Sequence, residues 1–396
     1  MTMEAFTKKG EIRLSFGNSV QFKVYQHFEK NIIPVSYEEL EAKAKEHLEA
    51  KPYYYVAASA GAEVTAKQNN KAFEKWQIVP RMLCDTSTRD LSIELFGKKL
   101  AYPVLLAPVG VQSIVHPEGE LATARAAAAM DVPFIASTAS TYSLEKVAGE
   151  MGQGQRWYQL YWSNDREIAS SMVKRAEAAG YDAIVITLDT PMMAWREKDI
   201  EHAYLPFLEG EGIGNYLSDP VFCSRLEKSP HEDMRAAIML WAQVFGNPTL
   251  TWKDLEFIKE QTSLPILLKG ILHPEDAKLA VEHGVDGIVV SNHGGRQVDG
   301  AIAAIDALPD VVDAVQGKIP VLMDSGIRRG SDILKALALG AKAVFVGRPY
   351  MYGLALAGEE GVKQVLRNLI ADFDLTLALS GKRAVTELSR DLLKKL

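Results

Sequence analysis

Short apolar runs alternate with helical patterns along most of this chain, and this alternation limits its possible folds more than any other feature. Strands that are apolar on both faces belong to parallel sheets covered by helices. Eight such runs predict a closed (β/α)8 barrel. The alternative, an open doubly wound sheet, would need a G-x-G-x-x-G fingerprint after the first strand, and the sequence has none there. The runs cover 103–109, 133–138, 157–162, 183–188, 265–269, 287–290, 320–323 and 343–346.

Amphipathic segments between these runs predict the helices that cover the barrel. The clearest cover 118–130, 165–179, 274–283 and 331–339. Several end at a glycine just before the next apolar run, as helices that precede a strand often do. The whole chain, 1–396, is therefore predicted to form one domain, with the barrel at about 100–355.

Two regions lie outside the repeating pattern. Residues 1–100 form an N-terminal extension with a predicted helix near 37–48. Residues 190–252, after the fourth strand, far exceed the usual connection of about 2–6 residues and include a helical segment at 233–245. At the catalytic end of a barrel, an insertion of this length predicts a lid or a subunit contact. The alternative is a solvent-exposed elaboration.

Composition excludes several classes of protein. The net charge of -7 argues against a nucleic-acid surface, which needs clustered Lys and Arg. Two cysteines, Cys84 and Cys223, are too few for a disulfide framework, and neither they nor the histidines show the spacing of a metal site. Without a signal peptide or a run of about 20 apolar residues, the sequence predicts a cytoplasmic protein that does not enter a membrane.

One motif combines a base with an anion-binding group. The segment Ser291-Asn292-His293-Gly294-Gly295-Arg296-Gln297 follows the apolar run 287–290. A histidine can accept a proton and an arginine can bind a carboxylate, and glycines between them let the backbone pass close to a ligand. The motif predicts chemistry on a carboxylate substrate, with an ordinary polar loop as the alternative.

Polar groups follow nearly every predicted strand. In this barrel fold the reaction takes place at the carboxyl ends of the strands. The last two ends combine glycines with arginines, which predicts a phosphate site, since bare backbone N–H groups and cations bind phosphate. The alternative is turn glycines and surface arginines. In chain order the ends are Ala107-Pro108-Val109-Gly110, Ser137-Thr138, Gln159 with Tyr161, Thr187-Leu188-Asp189, Lys269-Gly270, Ser291-Asn292-His293, Asp324-Ser325-Gly326-Ile327-Arg328 and Gly347-Arg348.

From about residue 35 to residue 388 the chain resembles the FMN-dependent α-hydroxy-acid oxidases and dehydrogenases. The motif 291–297, the segment 324–328 and Leu268-Lys269-Gly270 match that family. Segments 80–83, 186–190 and 219–222, and the long insertion, are most similar to its lactate 2-monooxygenase members. The resemblance implies FMN as cofactor, a small 2-hydroxy acid as substrate, and a homotetramer or larger homo-oligomer.

The resemblance also implies a role for each site residue. His293 matches the active-site base, and Asp189 matches the carboxylate that stabilises its protonated form. The substrate residues are Arg196, Arg296, Tyr161 and Tyr55, with Tyr53 and Tyr54 as adjacent candidates for the last. Lys269 matches the lysine beside the flavin N1–O2 edge. The other cofactor residues are Pro108, Val109, Gly110, Ser137, Gln159, Thr187, Ser291, Asp324, Gly326, Arg328, Gly347 and Arg348.

Two products are compatible with this resemblance. A closed lid over 190–252 and a glycine at 110, where typical lactate oxidases have alanine, favour oxidative decarboxylation of L-lactate by O2 to acetate, CO2 and water. The alternatives are an L-lactate oxidase that releases pyruvate and H2O2, and another (S)-2-hydroxy-acid oxidase. A barrel that lost catalysis and became a scaffold or sensor is a further class. It would be expected to lack at least one of His293, Arg296, Lys269 and Asp189, and all four are present.

Overall fold

The computed structural model describes residues 15–396, and its first elements form the N-terminal extension. The predicted helix near 37–48 is the second helix, whose N-terminus is capped by the Ser36 side chain. Residues 1–14 of the predicted extension lie outside the described residues. The elements are α1 Phe16–Tyr25, α2 Tyr37–His47, α3 Ala50–Ala57, α4 Val64–Glu74, β1 Trp76–Ile78, β2 Ile93–Leu95 and β3 Lys98–Leu100.

Eight parallel strands form a closed barrel, so the predicted (β/α)8 fold is confirmed and the open sheet is excluded. Neighbouring strands pair in chain order, and the last pairs with the first. Each falls within one of the apolar runs or extends it by one or two residues. The strands are β4 Val104–Leu106, β5 Phe134–Ser137, β6 Arg156–Leu160, β7 Ile184–Thr187, β8 Ile266–Ile271, β9 Gly287–Val290, β10 Val321–Met323 and β11 Val344–Val346.

The continuous apolar character of the strands has a direct structural cause. Successive side chains of a strand point to opposite faces of the sheet. In β7, Val185 belongs to the core inside the barrel, while Ile184 and Ile186 belong to the core between the barrel and its helices. Because both faces are buried, both need apolar residues.

The hairpin of β2 and β3 closes one end of the barrel. Its residues Leu95 and Leu100 are part of the inner core, and Phe96 packs on Trp157 with 5.7 Å between ring centroids. Trp157 lies near the start of β6, so the hairpin covers the amino ends of the strands. The carboxyl ends are left for a binding site.

Three helices follow the first strands of the barrel. They are α5 Gly119–Ala129, α6 Leu144–Met151 and α7 Arg166–Ala178. The first and last agree with the predicted segments 118–130 and 165–179 to within one residue at each end. Helix α7 begins at Arg166 because the Asp165 side chain accepts hydrogen bonds from the backbone N–H groups of Glu167 and Ile168.

The insertion after β7 is helical but broken into short pieces. The predicted helical segment 233–245 forms the longest, and it buries Ala237, Trp241 and Val244. This helix therefore packs on the protein with its apolar face. Its helices are α8 Glu197–Glu201, α9 Gly214–Leu217, α10 Pro220–Cys223 and α11 Met234–Val244, and α12 Leu255–Lys259 follows the insertion before β8.

The remaining elements complete the barrel and bring the last strand back to the N-terminal extension. They are α13 Pro274–Glu282, α14 Ala304–Val315, α15 Gly330–Ala338, α16 Arg348–Leu379 and β12 Leu393–Lys395. Helix α16 is interrupted at Ala357 and Gly358, whose backbone angles are not helical. Strand β12 pairs antiparallel with β1. Among residues 15–396, no helix has the length and apolar character needed to span a bilayer.

Candidate active site

A cleft with about 1180 Å³ of empty space, part of it open to solvent, lies at the carboxyl ends of the barrel strands. Its walls come from the loops after several strands, from α3 and from the insertion. Of the residues that the sequence predicted for a site, fourteen line this cleft: Tyr55, Pro108, Val109, Gly110, Tyr161, Arg196, Lys269, His293, Arg296, Asp324, Gly326, Arg328, Gly347 and Arg348.

His293 and Asp189 form a hydrogen-bonded pair at the ends of two different strands. His293 lies in a short turn after β9, and its Nδ1 is 2.7 Å from Oδ1 of Asp189, which follows β7. The other ring nitrogen, Nε2, lies 3.3 Å from the Tyr161 hydroxyl. Since Asp189 occupies Nδ1, the nitrogen that remains for a ligand is Nε2.

The environment keeps the histidine neutral and the aspartate ionised. Burial lowers the pKa of His293, Asp189 opposes this shift, and the charge of Lys269 adds to it. Burial acts to raise the pKa of Asp189, but its interactions with His293 and Lys269 outweigh burial, and the pKa lies below its ordinary value. A neutral imidazole held by a carboxylate can accept a proton, and the carboxylate then stabilises the cation.

Thr190 is a member of this group that the sequence did not reveal. Its hydroxyl donates to Oδ1 of Asp189 at 3.0 Å and lies 3.3 Å from Nδ1 of His293. It follows Asp189 directly, so its position after a strand is the one signal that could have identified it.

Two arginines, Arg196 and Arg296, lie together in the cleft. Within the described part of the chain, only Arg196 of the two has a carboxylate within ion-pair distance. Arg296 Nη1 donates to the backbone oxygens of Tyr55 and Ala58, and its guanidinium lies 5.3 Å from the Tyr55 ring centroid. Arg196 Nε donates to the backbone oxygen of Arg296, and its Nη1 is 3.7 Å from Asp199. Burial, with the neighbouring charge of Arg196, lowers the pKa of Arg296. A bound carboxylate would relieve this unfavourable accumulation of positive charge.

The structure separates the three adjacent tyrosines. Tyr55 lines the cleft, and its pKa is raised by burial, so its hydroxyl stays protonated. Tyr53 is buried against Tyr352, and Tyr54 stacks on His202. Only Tyr55 is therefore placed to contact a ligand in the cleft.

Lys269 supplies a buried positive charge at the inner end of the cleft. Its Nζ donates to the Ser291 hydroxyl at 2.9 Å and lies 3.2 Å from Oδ2 of Asp324. Burial acts to lower the pKa of Lys269, but Asp324 and Asp189 outweigh burial, and the pKa is raised. The ammonium is therefore charged at neutral pH and able to stabilise negative charge on a ligand.

The end of the cleft formed after β10 and β11 suits a phosphate. Arg328 Nε is buried without a hydrogen-bond partner in the described part of the chain, and the guanidinium lies 4.4 Å from the Tyr37 ring centroid. A Cβ built on Gly347 would meet only Ala107 and Val109, at ordinary contact distances of 3.7 and 3.8 Å. Two arginines, an unpartnered N–H and room beside a bare backbone fit the phosphate of FMN.

Segment 107–111, after β4, forms one wall of the cleft. A Cβ on Gly110 would lie 2.7 Å from the backbone oxygen of Ala139 and 2.8 Å from its Cβ. The absence of a side chain at 110 is therefore explained by the close approach of the loop after β5. This packing reason is independent of the product that the enzyme forms.

Three predicted cofactor residues lie below the cleft and bind one another. Ser137 donates to Gln159 Oε1 and Gln159 Nε2 donates to Thr187, each at 2.9 Å. All three are buried, and none is among the residues that line the cleft. Their predicted contacts with the flavin ring stay predictions.

The insertion contributes an apolar, largely aromatic wall to the cleft. Met193, Phe207 and Phe245 line the cleft. Phe245 lies 4.9 Å from Trp241 and 5.3 Å from Tyr161, between ring centroids. A phenylalanine after an amphipathic helix looks like an ordinary core residue, so no local signal distinguishes it.

The two glycines of the 291–297 motif also lie close to other parts of the chain. A Cβ on Gly295 would lie 2.6 Å from the backbone nitrogen of Ala66, and one on Gly294 would lie 3.0 Å from Arg348 Nη1. A side chain at either position would therefore conflict with helix α4 or with Arg348. Gly294 also lines the cleft, and the expected close approach of a ligand to these glycines stays a prediction.

Comparisons with known proteins agree with this geometry. Residues 44–395 match the family described as FMN-dependent dehydrogenase. An L-lactate oxidase of Lysinibacillus sphaericus (strain C3-41) is 50% identical over 352 residues, covering 89% of this chain and 90% of the oxidase. A glycolate oxidase of Spinacia oleracea is 43% identical over 354 residues, covering 89% of this chain and 93% of that protein.

A solved structure extends the likeness to three dimensions. The crystal structure of mandelate oxidase with (S)-4-hydroxymandelic acid has a TM-score of 0.81 and 41% identity, covering 91% of this chain and 98% of that one. The family match, these relatives and the cleft agree with the resemblance noted in the sequence. The chain therefore belongs to the FMN-dependent dehydrogenase family, and it is an FMN-dependent oxidoreductase of 2-hydroxy acids.

Proposed function

We propose that this enzyme oxidises L-lactate to pyruvate and uses O2 as the electron acceptor. The observation that supports this most is the His293–Asp189 pair, which lies in one cleft with Arg196 and Arg296. A base and a carboxylate site close together are what a 2-hydroxy acid requires. FMN supplies the acceptor for the two electrons that leave the α-carbon.

His293 Nε2 is the proposed acceptor of a substrate proton. Nδ1 is held by Asp189 at 2.7 Å, which fixes the ring orientation and stabilises the imidazolium after proton transfer. Burial and Asp189 raise the pKa of Tyr161 to about 12, so its hydroxyl remains a hydrogen-bond donor near Nε2.

Arg296 and Arg196 are the proposed ligands of the substrate carboxylate. Arginine can bind a carboxylate through two parallel hydrogen bonds, which fixes orientation as well as position. Arg296 itself is fixed by the backbone oxygens of Tyr55 and Ala58, so the α-carbon is held in one place.

Lactate is favoured over larger hydroxy acids by the aromatic wall. Phe207 and Phe245 narrow the cleft on the side of Tyr161. A small methyl group fits beside such a wall with fewer steric conflicts than a phenyl group. The 50% identical relative is called an L-lactate oxidase, which supports the same choice.

We place release of pyruvate and H2O2 first among the two possible products. The relative called an L-lactate oxidase aligns over 352 residues that span 89% of this chain and 90% of the oxidase, which supports this choice. Gly110 has a packing explanation in Ala139.

The second candidate is the L-lactate 2-monooxygenase reaction. H2O2 attacks pyruvate before either leaves, giving acetate, CO2 and water. The observation that favours it is the covering of the cleft by residues of the insertion, since an enclosed site delays release of product.

Oxygen uptake with L-lactate, with and without catalase, separates the two. Pyruvate as product, with half of the consumed oxygen returned by catalase, would support the oxidase. Acetate with no effect of catalase would support the monooxygenase instead. No oxygen uptake with L-lactate, but uptake with a longer 2-hydroxy acid, would overturn the choice of substrate.

The homotetramer or larger homo-oligomer and the cytoplasmic location expected from the sequence stay predictions. Trp195 and Met192 in the insertion are exposed, which favours a contact between copies there. Light scattering of the FMN-loaded protein would measure the number of chains in the assembly.

A further inference from the structure

A buried carboxyl group lies behind the wall of the cleft, outside the set of residues described above. Glu120, in the first turn of α5, is fully buried. Its Oε1 accepts hydrogen bonds from the backbone N–H groups of Gln112 and Thr141, each at 3.1 Å. Gln112 follows the wall segment 107–111, and Thr141 belongs to the loop after β5. One carboxyl oxygen therefore joins two loops that border the cleft.

Gln112 and Tyr350 extend this connection to the wall itself. Gln112 Nε2 donates to the backbone oxygen of Val109 at 3.0 Å and to the Tyr350 hydroxyl at 3.2 Å. The Tyr350 hydroxyl donates to the backbone oxygen of Ala107 at 2.9 Å. Two side chains thus hold two backbone oxygens of segment 107–111 from the side that faces away from the cleft.

A further residue fixes the Gln112 side chain. Thr123, buried on α5, donates to Gln112 Oε1 at 2.6 Å. With this bond, the amide oxygen and the amide nitrogen both have partners, so the amide has one orientation. Helix α5 therefore determines where Gln112 presents its N–H groups.

Burying the Glu120 carboxyl group is unfavourable for the stability of the fold, which argues against a role in packing alone. Burial raises the pKa of Glu120 to about 7, against the effect of its backbone hydrogen bonds. Its Oε2 is buried without a hydrogen-bond partner in the described part of the chain. An apolar side chain of similar size would avoid both costs but would leave the backbone N–H groups of Gln112 and Thr141 without their acceptor, so holding these two loops is what the carboxyl group contributes.

The backbone conformation of the segment that Glu120, Gln112 and Tyr350 hold is itself unfavourable. Val111 has a φ of 56°, in the left-handed region that β-branched residues avoid. Such a conformation persists only when its surroundings determine it, and it is typical of functional sites. Val111 and its neighbours Val109 and Gly110 line the cleft directly.

We propose that Glu120, Gln112 and Tyr350 are positioning residues that hold segment 107–111 in the conformation that binds the FMN ring. None of the three touches the cleft, and they act through the backbone oxygens of Ala107 and Val109 and the N–H of Gln112. The proposal rests on FMN as cofactor and is independent of the choice between L-lactate and another 2-hydroxy acid.

The test measures FMN binding to apoprotein and compares it with stability. Tyr350→Phe removes the hydroxyl that holds Ala107 O and keeps the ring. Tyr181→Phe is the matched control, because the buried Tyr181 hydroxyl donates to the backbone oxygen of Leu144 at 2.9 Å, away from the cleft. Thr123→Val loosens Gln112 without touching the wall.

We expect the Kd of FMN, from quenching of its fluorescence, to rise about fivefold in Tyr350→Phe and two- to fivefold in Thr123→Val. Glu120→Leu should raise it at least about tenfold, since two backbone N–H groups lose their acceptor. Tyr181→Phe should lower the Tm about as much as Tyr350→Phe, with a Kd within about twofold of wild type.

Two results would overturn the proposal. The first is a Kd for Tyr350→Phe and Thr123→Val within twofold of wild type while the Tm falls as in Tyr181→Phe. The second is an equal rise of the Kd in the control. Absence of L-lactate turnover in a wild-type protein that binds FMN would overturn the proposed function and leave this proposal intact.

Discussion

His293 Nδ1 lies 2.7 Å from Asp189 Oδ1, although the two residues are 104 positions apart in the chain. His293 has a φ of 59°, in the left-handed region, so its ring is presented from a strained backbone that the following turn maintains. The pair is therefore set by the fold of the barrel and not by local sequence.

Replacement of Asp189 by asparagine should slow the reductive half-reaction. The amide keeps the size of the side chain but removes the charge that stabilises the imidazolium. We expect the rate of flavin reduction by L-lactate, measured anaerobically by stopped flow, to fall at least about a hundredfold. Thr190→Val is the control, since Thr190 contacts the same oxygen at 3.0 Å without supplying charge. An equal loss in both variants would contradict the electrostatic role of Asp189.

The acid limb of the pH profile should report His293. Burial lowers the pKa of this histidine below the ordinary 6.5. The base is inactive when protonated, so kcat/KM should be constant through neutral pH and fall only as the pH drops below that lowered pKa. A profile of kcat/KM against pH, with an acid limb at or above pH 6.5, would argue against His293 as the base.

Replacement of Arg296 by lysine should weaken carboxylate binding. A lysine lacks the planar fork and cannot also reach the backbone oxygens of Tyr55 and Ala58. We expect kcat/KM for L-lactate to fall about a hundredfold, and the Kd of pyruvate, read from the flavin spectrum, to rise by a similar factor. Unchanged binding of pyruvate would show that the carboxylate binds elsewhere. FMN content is the control for correct folding.

Removal of the Lys269 charge should destabilise the apoprotein. Lys269 and Asp324 are both buried and lie 3.2 Å apart, so Lys269→Met leaves a buried carboxylate unpaired. We expect the free energy of unfolding, from urea titration, to fall by about 3–5 kcal/mol. The double variant Lys269→Met/Asp324→Asn should recover part of that loss. Equal stability of the single and double variants would show that the pair does not interact.

Truncation of the aromatic wall should change substrate preference. Phe245→Ala removes a ring that lies 5.3 Å from that of Tyr161. We expect the ratio of kcat/KM for 2-hydroxybutyrate to that for L-lactate to rise about tenfold, because the longer side chain gains room. Phe257→Ala is the matched control, since Phe257 packs on Trp162 away from the cleft. A ratio that changes equally in both variants would remove Phe245 from the substrate side.

The barrel was predictable because its strands need apolar residues on both faces. Strand β9 has the bounds that the run 287–290 predicted. The helices α8, α9 and α10 were not predictable from periodicity, because each spans only four or five residues. A helix of that length shows hardly more than one turn of its pattern.

The site residues that directly follow barrel strands could be predicted from the sequence. His293, Asp189 and Lys269 follow strands, and a closed barrel brings such residues together whatever their separation in sequence. The positions of Met193 and Phe245 depend on how the insertion folds back over the barrel. This packing is a tertiary interaction, and no local sequence pattern predicts it.

Arg348 joins parts of the chain that are made at very different times. Its guanidinium donates to the backbone oxygens of Val56 and Ala58 in and after α3, and to that of Gly294 in the turn after β9. The ribosome releases residue 348 after both of these segments, so neither has its partner until then. The nascent chain therefore lacks a finished cofactor site until Arg348 has left the ribosome, and FMN binds in its final site only after that point.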